Sequence, residues 1–108
     1  MIRGSVGSVI AGGSGNQISG SMNGASSPHN TIGGGSGNYI TGSNSSILGG
    51  IDNIISGSDN TIGGGSRNRL DLNNTVGQFS FIGGGTENSG SSEYNSIAGG
   101  QQNNIAGS

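Results

Sequence analysis

Asn30-Thr31-Ile32-Gly33-Gly34-Gly35-Ser36-Gly37-Asn38-Tyr39-Ile40-Thr41-Gly42-Ser43-Asn44 runs directly into Ser45-Ser46-Ile47-Leu48-Gly49-Gly50-Ile51-Asp52-Asn53-Ile54-Ile55-Ser56-Gly57-Ser58-Asp59. Laid over one another, the two fifteen-residue segments place an isoleucine, a glycine pair, an asparagine, a second isoleucine and a further glycine in the same register. With the first isoleucine as position zero, the frame starts at Ile10, Ile32, Ile47, Ile62, Ile82 and Ile97. Three of the five intervals are fifteen residues; the others, twenty-two and twenty, are the same unit carrying insertions at 21–29 and 73–80. The chain, residues 1–108, therefore reads as a single repeat domain.

Glycines stand at plus two and plus three, and asparagine at plus six, in all six repeats. A second apolar column follows at plus eight as Ile18, Ile40, Ile55, Leu70 and Ile105, broken in repeat five by Gly90. Helix is excluded, because each interior glycine costs about 1 kcal/mol against alanine and every repeat holds several. Short strands fit: in extended backbone Ile32 faces one side while Thr31 and Gly33 face the other, and Ile40 does the same between Tyr39 and Thr41. The expected architecture is all-β, a parallel β-roll or β-solenoid of about six fifteen-residue coils. Its core ladder is Ile10, Ile32, Ile47, Ile62, Ile82 and Ile97, facing Ile18, Ile40, Ile55, Leu70 and Ile105. Each unit is read as two strands and two tight turns. Glycine and asparagine suit corners of positive φ, and stacked asparagines also form amide ladders; the sequence leaves both roles open.

More than half of the chain is Gly, Ser or Asn, yet its low net charge, −2, and strict hydrophobic period argue against disorder. Three arginines and no lysine offer phosphates no basic stripe, so nucleic acid is not an expected partner. Cysteine is absent, no run reaches the length of a signal peptide core or membrane span, and membrane insertion is not expected. Two inward aliphatics per repeat make a thin core against a backbone entropy of about 1–2 kcal/mol per residue, so association of identical chains is expected to complete it.

The unit Asn30-Thr31-Ile32-Gly33 followed by Ile40-Thr41-Gly42 resembles the head-domain repeats of YadA-like trimeric autotransporter adhesins, and related β-roll repeats of trimeric phage fibres and spikes. The resemblance extends from about Val9 to Gly107. It implies a homotrimer, intertwined or side by side. A chain of this kind beginning at Met1 looks like a virion fibre, spike or capsid-decorating component at the virion surface. Its partners would then be itself, other virion proteins, or a cell-surface glycan or receptor. The alternative is a head-domain fragment of an adhesin on a bacterial cell surface.

No constellation reads as catalytic, and no enzyme activity, cofactor or metal is expected. His29 has no cysteine or acid at ligand spacing, and Glu87 and Glu93 lack an apolar wall to raise a carboxyl pKa. Gly12-Gly13-Ser14-Gly15-Asn16 starts like a calcium-binding nonapeptide, but Gln17 stands where the aspartate belongs. The column before position zero, Val9, Thr31, Ser46, Thr61, Phe81 and Ser96, is too broken for a threonine ice-binding array, which leaves glycan or ice binding as a lesser alternative. Leu48, Ile51 and Ile54 make repeat three apolar at plus one, plus four and plus seven; with Tyr39 they are expected to contact another subunit or partner. Asp52, Arg67 and Glu87 form a charged plus-five row. Met22, Pro28, His29, Val76 and Phe79, in the insertions, are candidate recognition-loop residues.

Overall fold

A computed structural model describes residues 2–3, 7–19, 29–71, 79–91 and 94–106. Most of both insertions, with Met22, Pro28 and Val76, lies outside the described residues, as does Glu93. The second insertion, 73–80, reads from its sequence either as a loop or as a truncated repeat, and 73–78 of it are outside the described residues. The strands in chain order are β1 (Ile2–Arg3), β2 (Val9–Ile10), β3 (Gln17–Ser19), β4 (Thr31–Ile32), β5 (Tyr39–Ser43) and β6 (Ser46–Ile47). They continue as β7 (Ile54–Ser58), β8 (Thr61–Ile62), β9 (Arg69–Asp71), β10 (Phe81–Ile82), β11 (Ser89–Gly90), β12 (Ser96–Ile97) and β13 (Asn104–Ile105). No helix occurs among the described residues.

The protein is all-β, built from two parallel sheets. Odd-numbered strands form a seven-stranded sheet in sequential order, and even-numbered strands a six-stranded one. Each strand pairs with its equivalent in the next repeat: Ile32 aligns with Ile47, Ile47 with Ile62, and Ile62 with Ile82 across the second insertion. The seven-stranded sheet keeps the same step, with Ile40 beside Ile55 and Ile55 beside Leu70. Shifting one repeat by a single residue would turn its isoleucines outward, so burial sets the register.

The division into two strands per repeat is incomplete. At plus four a third parallel ladder runs through Ser14, Ser36, Ile51, Ser66, Thr86 and Gln101, one residue per repeat. The molecule is 14 Å thick along its shortest principal axis. That leaves room for one layer of aliphatic side chains between the sheets. Ile18, Ile32, Ile40, Ile47, Ile55, Ile62, Leu70 and Ile82 are fully buried there; Ile97 is nearly so, and Ile10 and Ile105 pack partly buried at the two ends. At Gly90 the space that isoleucine takes in other repeats is occupied by its neighbours. A methyl there would lie 2.7 Å from Asn95 Nδ2 and 3.1 Å from Leu70 Cδ2.

Candidate functional site

The plus-six asparagines from Asn16 to Asn88 are buried, Asn103 in the last repeat is exposed, and none of the six has positive φ. The Oδ1 of Asn16, Asn38, Asn53, Asn68 and Asn88 accepts the backbone N–H of the next asparagine in the column at 2.9–3.0 Å. Their Nδ2 groups donate to the plus-two glycine carbonyl of their own repeat, at 2.8–3.1 Å. They donate also to the plus-three glycine carbonyl of the next repeat, at 2.9–3.1 Å. Of the two roles open at sequence level, the amide ladder is the one taken. Left-handed corners fall instead at plus three, where φ is 90–105° and all residues are glycine, and at plus five, where Asp52, Arg67, Glu87 and Gln102 have φ of 55–58°.

A second polar column, buried from Asn30 onward and missed from the sequence, lies two residues before position zero. Ser8, Asn30, Ser45, Asn60, Ser80 and Asn95 alternate strictly, and each side-chain oxygen from Ser8 to Ser80 accepts the next member's backbone N–H at 2.9–3.2 Å. The signal was present: position minus two lies on the same strand face as position zero. Buried Asn60 Nδ2 finds no acceptor among the described residues, whereas Asn30 Nδ2 donates to Gly42 O at 2.8 Å.

The glycine pair hides a physical difference. At plus three a methyl group on Gly35, Gly50, Gly65 or Gly85 would run into a carbonyl of the following repeat. At plus two, a methyl on Gly12, Gly34, Gly49, Gly64, Gly84 or Gly99 would meet nothing within 4 Å. Five of these six have no positive φ either. Among the described residues nothing requires glycine at those five positions.

Leu48 is 62% exposed and Ile51 54%. Ile54 and Tyr39 are half-buried neighbours in the seven-stranded sheet, whose row continues to Arg69. The apolar trio spans three surfaces: Leu48 follows β6, Ile51 belongs to the plus-four ladder, and Ile54 begins β7. It bands repeat three instead of forming one flat patch. In the charged row Arg67 and Glu87 approach to 3.9 Å with side chains 61% and 40% exposed. A pair so exposed contributes under about 1 kcal/mol. Asp52 leans the other way, over Gly37 of repeat two.

His29 and Phe79 occupy one corner row, three residues before position zero, with Gly7, Asn44, Asp59 and Tyr94. His29 lies against Gly7. Phe79 and Tyr94 are 55% and 68% exposed, and their rings stack with centroids 5.7 Å apart and planes 20° apart. Both have positive φ, 22° and 57°. Asn44 and Asp59 hold the same conformation at φ 52° and 60°, but those residue types tolerate it. Aromatic residues do not: each strained residue costs about 1–3 kcal/mol, while one stacked pair returns about 0.5–1.5 kcal/mol. The stack alone does not offset the strain. Tyr94 was not anticipated, because its partner lies fifteen residues away with no motif linking the two.

Among the described residues no cluster of three or more His, Cys, Asp or Glu is placed to hold a metal. The chain matches no family model, no curated protein and no solved structure. Fold and geometry thus define a class: an all-β protein of stacked parallel repeats, held by two internal polar ladders and one aliphatic layer.

Proposed function

We propose that the protein is a non-enzymatic structural element, a parallel β-solenoid that assembles as a homotrimer and serves as a fibre, spike or capsid-decorating part of a virion. The observation that carries this reading is the plus-two glycine row. Six glycines recur at a corner where, among the described residues, no atom of the same chain excludes a side chain, and in five of them the backbone conformation does not exclude one either. Close approach of another chain's backbone is what would exclude it. Exposed Leu48 and Ile51 flank that corner in repeat three and make it the tightest point of the assembly. The narrow aliphatic layer supports the same conclusion, since a thin core gains most from burial between chains.

Light scattering on the purified protein is expected to give the mass of three chains. Gly49→Ala combined with Gly84→Ala separates the two possibilities by sign. On an open surface alanine stabilises by about 0.4–1 kcal/mol per site through the unfolded chain; in a close backbone contact it lowers both mass and melting temperature. A monomeric wild type, or an assembly unaffected by the double substitution with raised stability, overturns the proposal.

A further inference from the structure

Phe79 and Tyr94 close a row whose earlier members are His29, Asn44 and Asp59. Backbone N–H groups of Ser80 and Asn95, bonded to Asn60 Oδ1 and Ser80 Oγ, keep that row in step. Asp59, Phe79 and Tyr94 therefore sit at successive strand spacings of about 4.8 Å. Two rings, stacked and more than half exposed, stand in a backbone conformation better suited to the asparagine and aspartate lower in the row. Positive φ also occurs at Arg67, Glu87 and Gln102; what sets this corner apart is that its strained residues are two stacked, exposed rings, a feature from which function is inferred.

We propose that the Phe79–Tyr94 pair, with Asp59 and Asn44 below it, is a binding site for a neutral oligosaccharide. A pyranose ring has an apolar C–H face that lies flat on an aromatic ring, and a rim of hydroxyls. The Asp59 carboxylate and the Asn44 amide, one and two strand spacings from Phe79, offer those hydroxyls acceptors and donors. An anionic sugar or a phosphate would meet Asp59 and a chain of net charge −2 without a basic group in the row, apart from His29 at its far end. The row repeats at a constant step, and its rings are more than half exposed, which suits a linear saccharide laid along it.

The test uses tyrosine fluorescence, because the chain has two tyrosines and no tryptophan. In a Tyr39→Phe background Tyr94 is the sole tyrosine reporter, titrated with maltohexaose, cellohexaose and N-acetylchitohexaose. A saturable change with at least one of them is expected. Phe79→Asn in the same background keeps the reporter and replaces phenylalanine by a residue that accepts the corner conformation. Its melting temperature is expected to hold or rise while affinity falls about tenfold. No saturable change with any of the three sugars, or equal affinity in the Phe79→Asn chain, overturns the site. A Phe79→Asn chain that drops to lower mass assigns the rings to a subunit contact and overturns it too. The trimer proposal is read separately, from mass without sugar, and neither result decides the other.

Discussion

Asn53 shows how one side chain joins three repeats. It accepts the Asn68 N–H at 3.0 Å, and its own Nδ2 reaches Asn38 Oδ1, Gly49 O and Gly65 O, all at 3.1 Å. Asn53 is fully buried and its bonds with Asn38 and Asn68 are enclosed, so removing the amide leaves those buried groups without partners, at about 1–3 kcal/mol each. Asn53→Ala is expected to destabilise by about 3 kcal/mol or more in urea titration. Asn60, although also fully buried, should behave differently. Serine serves its column at Ser45 and Ser80, so Asn60→Ser keeps an acceptor for the Ser80 N–H and removes the unpartnered Nδ2. Its stability is expected to stay level or rise by up to about 1 kcal/mol.

At the scale of the element, the glycine corner and the asparagine column are one device. The corner turns the chain from the six-stranded sheet toward the plus-four ladder, and its carbonyls are the acceptors for the asparagine amides. Gly50 has φ 98° and faces the Gly65 carbonyl with no room for a methyl. Gly50→Ala is expected to cost at least about 2 kcal/mol by thermal or urea unfolding, from the left-handed conformation together with the collision. Its neighbour Gly49 has neither constraint within the chain. Two adjacent glycines therefore respond to the same substitution for unrelated reasons.

Across the whole molecule, cohesion is hydrogen-bonded and apolar with little contribution from charge. The chain carries three arginines and five acids in all, and the Arg67–Glu87 pair, 3.9 Å apart, is well exposed. Salt screens such pairs and leaves buried amide ladders nearly untouched. The melting temperature is expected to move by less than about 2 °C between low and high sodium chloride, measured by circular dichroism. A large loss at high salt would place the cohesion in charges instead. Each strand pairs with those of the repeats before and after it, so defects stay local, as the filling of the Gly90 gap by Asn95 and Leu70 shows.

The all-β, parallel character was legible in the period alone. Aliphatics recurring every fifteen residues, with glycine at fixed offsets, bury together only when repeats pair in register, and a strand's two-residue alternation then sets which residues face inward. The asparagine column was visible, but its role was not, since a polar residue beside a corner reads equally well as a turn former. Its burial follows from neighbours that arrive from the repeats on either side. The same holds for Gly49 against Gly50: one letter stands for both, and only the path of the next repeat decides which has space for a methyl group. Phe79 and Tyr94 become a pair because two corners fifteen residues apart in the chain lie one strand spacing apart in space. Local pattern determined what each repeat is; contact between repeats decided what each position does.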